Sequence, residues 1–131
     1  MTSHDLKSLL LALYGAVVEK RWDAVRELLH PDFVDHSPEL APVPGRADGA
    51  REAFLDYFRA GGTPLDGARV DIERMLADEE MVMVHYRLVN AAHPGGLAVV
   101  DIFRCDGGRF VEHWDVLQPV PTQARNPRAM F

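Results

Sequence analysis

A single cysteine, Cys105, stands among the 131 residues. That excludes an internal disulfide, and without an evident histidine partner it offers no thiol nucleophile. Positive charge is also scarce: 14 Lys and Arg against 20 Asp and Glu give a net charge of −6. A protein that neutralises phosphates needs a basic face, and the Arg residues here are scattered among carboxylates, so neither nucleic acid nor an anionic membrane is expected as a partner. No apolar run approaches the roughly 18 residues of a membrane-spanning helix. The segment 1–7 lacks the basic and apolar regions of a signal peptide, which leads to the expectation of a cytoplasmic protein. No HxH or HxxxH spacing occurs, so neither a metal nor another cofactor is expected, although His36, His113 and Asp115 together are a donor set of the right types.

What remains is an ordinary globular composition, 47% apolar and 26% charged, of a length that suits one domain over 1–131. Thr2 and Asp5 have the spacing of a capping box, and Leu6, Leu9, Leu10, Leu13 and Val17 then recur at helical spacing. This predicts a first helix over 3–20, with Tyr14 on its buried stripe. A second helix over 22–29 ends at His30-Pro31, because a residue before proline avoids helical dihedrals. An extended piece over 33–36 and a Pro-rich loop over 37–45 follow. Asp48 caps a third helix bearing Ala53, Phe54, Tyr57 and Phe58 on one face, which Gly61-Gly62 stops. From there the apolar period changes from 3.6 to 2, predicting four strands: about ten residues around Val70 and Ile72, then 81–89, 97–104 and 109–118. Helices first and a strand meander afterwards means α+β, three helices covering one face of a curved antiparallel sheet.

The last hairpin carries the chemistry. Asp101 interrupts Leu-Ala-Val-Val-Asp-Ile-Phe-Arg, a strand otherwise apolar on both faces, where a bare charge is costly. It either lines a cavity or reaches solvent from an edge. A three-residue turn at 106–108 pairs Asp101 with His113 and gathers Asp101, His113 and Asp115 on one face, ringed by Val99, Phe103, Val111 and Leu117. A two-residue turn would instead pair Asp101 with Glu112. In the second strand Val84, Tyr86 and Leu88 share one face, while Met83, His85 and Arg87 share the other.

The order of elements resembles the nuclear transport factor 2-like superfamily over nearly the whole chain. Tyr14 and Asp-Ile-Phe-Arg at 101–104 resemble ketosteroid isomerase, whose helix Tyr and strand Asp form an oxyanion hole. That isomerase is a standard example of a carboxylic acid kept neutral by an apolar site. The likeness implies that Tyr14 and a protonated Asp101 donate hydrogen bonds to a carbonyl oxygen, and that Asp101→Leu leaves stability intact. It also implies a cone-shaped fold enclosing a pocket, lined by Val84, Tyr86, Leu88, Phe103 and Leu117 and approached by Tyr57 and Phe58. The isomerase base, an Asp before a proline, is replaced here by Ser37. The segments Asp35-His36-Ser37-Pro38 and Glu112-His113-Trp114-Asp115 are closer to the SnoaL-like branch, which includes polyketide cyclases.

Two functions are therefore expected to compete. One is a cofactor-independent isomerase, cyclase or aldol-type lyase acting on a small apolar carbonyl compound. In it Asp115 or His113 removes a proton, Tyr14 and Asp101 steady the enolate, and His36 at the pocket mouth returns the proton. The other is a binding or dimerisation module with no turnover. Met83, His85, Trp114 and Val116 on the outer sheet face are expected to make a homodimer.

Overall fold

The computed structural model describes residues 1–131, and its chain order is α1 (Ser3–Val18), α2 (Trp22–Leu28), β1 (Leu29–Asp35), α3 (Gly49–Ala60), β2 (Arg69–Ala77), β3 (Met81–Val89), β4 (Leu97–Asp106) and β5 (Arg109–Pro119). No helix is long and apolar enough to cross a membrane.

Both halves of the expected capping box form at the start of α1: Asp5 N–H donates to Thr2 Oγ1 at 3.1 Å and Thr2 N–H to the Asp5 carboxylate at 2.9 Å. Leu6, Leu10, Leu13 and Val17 then bury the stripe they define, and α1 lies across β2 and β3. Burying each such leucine stabilises the fold by about 1.5–3 kcal/mol. Asp48 holds the N-cap position of α3 but makes no cap bond, because its carboxylate is taken by Arg46 and Arg51. The helices α2 and α3 are joined by the Arg26 guanidinium, whose Nε and Nη2 donate to the two oxygens of buried Glu52 at 3.1 and 3.2 Å.

The five strands run in the order β1-β5-β4-β3-β2. An all-antiparallel sheet was the sequence expectation; the sheet is mixed, since β1 pairs parallel with β5. The short extended piece thus lengthens to seven residues and becomes an edge strand. Pro31 inside it donates no hydrogen bond, and the β1–β5 register shifts between Leu29 and Val34, the behaviour of proline on a sheet edge.

The hairpin β4–β5 decides what faces inward. Gly107 and Gly108 both have positive φ, 60° and 80°, the backbone of a two-residue type I′ turn. Asp106 accordingly opposes Arg109 and Cys105 opposes Phe110, but one strand pair further Arg104 opposes Glu112. Val111 is an extra residue, a β-bulge. Without it Glu112 and Trp114 would point inward and His113 outward; with it Phe110, His113 and Asp115 all face the helices. Neither expected pairing occurs, because turn and bulge together displace the register by two. Asp101 faces Asp115, and His113 faces Phe103. A displacement of two leaves the faces as expected. Only the Val111 position on the inner face fails: the buried ring of Phe110 fills that place, 5.0 Å from Phe103.

The outer face carries two cross-strand rows, Met83–Ile102–Trp114 and His85–Val100–Val116. Val116 is 67% exposed. His36 stacks flat on Trp114 at 5.0 Å, and Phe131 lies over His85 and Arg87.

Candidate active site

On the inner face four side chains from four separate elements make one continuous chain of hydrogen bonds. Tyr14 of α1 donates its hydroxyl to Asp101 Oδ2 at 2.6 Å. Asp101 Oδ1 lies 3.1 Å from His113 Nε2, and His113 Nδ1 lies 3.0 Å from Asp35 Oδ1. His113 and Asp101 are buried, 5% and 7% exposed. The Phe103 ring stacks on the imidazole at 4.3 Å, closing its face to water.

Burial alone would push the His113 pKa down, but its bonds to Asp101 and Asp35 and their charges outweigh that and raise it to about 10. At neutral pH the ring is an imidazolium, and both of its nitrogens donate. Asp101 accepts from this cation and from Tyr14, so it is an acceptor at both oxygens. In this geometry Asp101 accepts from Tyr14 where the resemblance implies that it donates to a ligand, and its carboxylate also holds the His113 ring. Asp101→Leu would strand a buried imidazolium, a strongly destabilising change.

Burial, and then the negative charge of Asp101, pushes the Tyr14 hydroxyl well above its ordinary value, and the same two causes act on Tyr86. Both stay protonated, with rings edge-to-face at 6.1 Å. Asp115 lies directly across from Asp101. Its pKa is raised by burial first; His113 opposes the rise, Asp101 adds to it and the Ser37 hydroxyl lowers it. Its Oδ1 is buried with no hydrogen-bond partner.

Tyr14, Asp101, His113 and Asp115 thus come together as expected. His36 does not. With Asp35 turned inward, strand alternation turns His36 outward, where Nε2 meets Glu112 Oε2 at 2.8 Å. It sits on the far side of the sheet and returns no proton to this site. Val84, Leu88 and Phe103 lie on the inner face but are 0%, 3% and 2% exposed; they are the floor beneath the polar groups and present no surface to a ligand. Tyr86, Tyr57 and Phe58 are half-buried, and Leu117 is 44% exposed beyond Asp115 on the same face. Tyr57 stands close enough to Glu39, Asp115 and Asp66 for their charges to raise its pKa further, after burial.

The sequence reading left out Asp35 and Ser37. The signal was present in Asp35-His36-Ser37-Pro38, but pairing of this segment with β5 is a long-range parallel contact that no local pattern announces. Ligand atoms of Asp101, His113 and Asp115 lie within 4.8 Å of one another. A metal there would have to displace the proton on His113 Nε2, because only neutral imidazole binds a cation.

The His113 pKa is raised on folding, from 6.5 to about 10. Its stabilisation is therefore complete below pH 6.5 and fades as pH climbs toward 10, with a slope of at most about 1.4 kcal/mol per pH unit. Urea unfolding of the wild type and His113→Asn at several pH values from neutral to about 10 should show a gap that narrows as pH rises. A gap independent of pH would mean that the ring is neutral.

A SnoaL-like domain description matches residues 10–113. No curated protein matches the chain in sequence. Among solved structures, an NTF-2 like protein of unknown function from Burkholderia xenovorans has a TM-score of 0.70 and 14% identity, over 95% of this chain and 90% of that one. A protein from Kribbella flavida, provisionally named a ketosteroid isomerase, has a TM-score of 0.69 and 18% identity over 98% and 87%. IdmH from Streptomyces antibioticus, provisionally named a polyketide cyclase, has 0.65 and 21% over 85% and 90%. At such identities the likeness concerns the fold. Three helices on one face of a curved five-stranded sheet give the fold of the NTF2-like structures, and a domain match spanning most of the residues places this chain in the SnoaL-like family.

Proposed function

We propose that the chain is a cofactor-independent acid/base enzyme, of isomerase, cyclase or aldol type, acting on a small apolar carbonyl compound in a pocket on the inner sheet face. The observation that carries this reading is the Tyr14–Asp101–His113–Asp35 network beside the half-buried carboxylate of Asp115, whose Oδ1 has no hydrogen-bond partner. Between the two candidate bases the choice falls on Asp115. A ring titrating at about 10 holds its proton at neutral pH, whereas a carboxylate pushed upward by burial gains basicity toward the range useful for C–H abstraction.

Asp115 takes the proton next to the carbonyl, and the C–H electron pair moves into an enolate. The His113 cation lends its charge at short range, and the Tyr14 O–H serves the developing oxyanion by turning from Asp101, to which it donates in this structure; a donor of this kind contributes about 10²–10³ in rate. With His36 outside, Asp115 returns the same proton to another carbon, or the enolate carbon attacks a second carbonyl and Asp115 gives its proton to the alkoxide that forms. Strand pairing puts no Lys or Arg on the inner face of β3, β4 or β5 beside Asp101 and Asp115, which favours an uncharged substrate over a carboxylate.

Deuterium uptake by 2-tetralone, followed by proton NMR, tests this. Wild type should exceed buffer, and Asp115→Asn should lose about 10²-fold or more while still binding 2-naphthol. If wild type binds 2-naphthol but exchanges no faster than buffer, the domain is a binding module and the enzyme reading fails.

The outer face supports a homodimer: its apolar rows and the exposed Val116 suit a self-complementary contact. Light scattering at micromolar concentration should give twice the 14.6 kDa chain mass. A mass equal to one chain would contradict the dimer.

A further inference from the structure

Asp35 is one of the least accessible carboxylates of the chain, its side chain 1% exposed, and it sits at the very end of an edge strand. Its Oδ1 receives the Ser37 N–H at 2.8 Å and meets His113 Nδ1 at 3.0 Å. The backbone binds the same place: Asp35 pairs with His113 in the β1–β5 ladder, and His36 N–H donates to the His113 carbonyl at 2.9 Å. The end of β1 therefore grips His113 by main chain and side chain together. Its own carboxylate is steadied by the next turn of chain, which Pro38 fixes.

We propose that Asp35 is a positioning residue: it fixes a proton on His113 Nδ1 and so aims the Nε2–H at Asp101. The inference rests on the reading of His113 and Asp101 as the working site. The physical reason is charge first and tautomer second: the Asp35 carboxylate helps keep the ring doubly protonated, and once the ring is neutral it decides which nitrogen keeps the proton. A neutral imidazole carries one proton, and the group hydrogen-bonded to one nitrogen decides what the other can do. If Nδ1 lost its acceptor, Nε2 could turn from donor to acceptor, and Asp101 would lose one of its two donors. Tyr14 would then be the only group holding the Asp101 carboxylate. Asp35 makes no hydrogen bond to Tyr14 or Asp115; its charge is the last of the causes that act on Asp115, and its one bond to the working groups is to the ring.

The test uses the intact chain with nitrogen-15-labelled histidine and long-range proton–nitrogen NMR. In wild type at about pH 8, His113 should show both nitrogens protonated, against an ordinary histidine near 6.5. A neutral ring with Nδ1 bare would overturn the proposal without any variant. Asp35→Asn keeps the size and an acceptor oxygen but removes the charge. It should lower the His113 titration midpoint by about one pH unit or more, a tenfold loss of proton affinity. In 2-tetralone exchange its kcat should fall about tenfold with KM within about twofold, since ground-state binding is untouched. A merely structural Asp35 would lower the melting temperature yet leave the midpoint where it was, and that result would sink the proposal. If the midpoint moves while no form of the protein exchanges 2-tetralone, Asp35 positions His113 as proposed and the enzyme reading alone has failed.

Discussion

A histidine ring with only 5% of its surface exposed is held between two aspartates, and most of the inner face follows from that arrangement. A buried cation is unfavourable unless paired and fully hydrogen-bonded. Here each ring nitrogen has its own carboxylate, and Phe103 covers one face of the ring. The carboxylates depend on the ring in turn. Asp101 would otherwise lie in the apolar stretch 97–103 with a single tyrosine to hold it, and Asp35 would have only the Ser37 N–H. The fold therefore tolerates three ionisable groups in its interior because they neutralise one another in part.

The arrangement draws on distant parts of the chain. Asp101 and His113 come from one hairpin, whose bulge at Val111 turns His113 inward. Asp35 comes from a parallel edge strand, and Tyr14 from the first helix, 87 positions from its partner. Glu112 and Trp114, excluded from the interior by the same bulge, bind His36 on the outside. One inserted residue thus sorts alternate side chains of β5 between the inner cluster and the outer face of the sheet.

Much of this was legible in the sequence, for identifiable reasons. Periodicity fixed α1 and the meander because Leu6, Leu10 and Leu13, and later Val82, Val84 and Leu88, repeat at the spacing of their elements. Asp101 stood out because a charge amid Val-Val and Ile-Phe needs an explanation. His113 and Asp115 fell on the right face by two departures that cancelled, a shorter turn and a bulge, neither of which leaves a sure mark in a run such as Phe-Val-Glu-His-Trp. His36 was misplaced and Asp35 overlooked for a common reason. Which of two neighbours points inward depends on how β1 registers against β5, and that register is a tertiary fact. The hydrogen-bonding role of Asp101 was also beyond sequence: it was expected to donate to a ligand from an apolar site, and the structure has it accept from Tyr14 beside a histidine held by two aspartates.

The inner face is held together by the coupling between His113 and Asp101. A double-mutant cycle for unfolding stability near neutral pH, with His113→Asn, Asp101→Asn and the double variant, measures that coupling without reference to any substrate. A buried charged pair sharing a hydrogen bond should give a coupling energy of about 2 kcal/mol or more, with the double variant less damaged than the sum of the singles. A coupling below about 0.5 kcal/mol, the level of independent sites, would contradict the imidazolium–carboxylate pair on which the reading of the inner face depends.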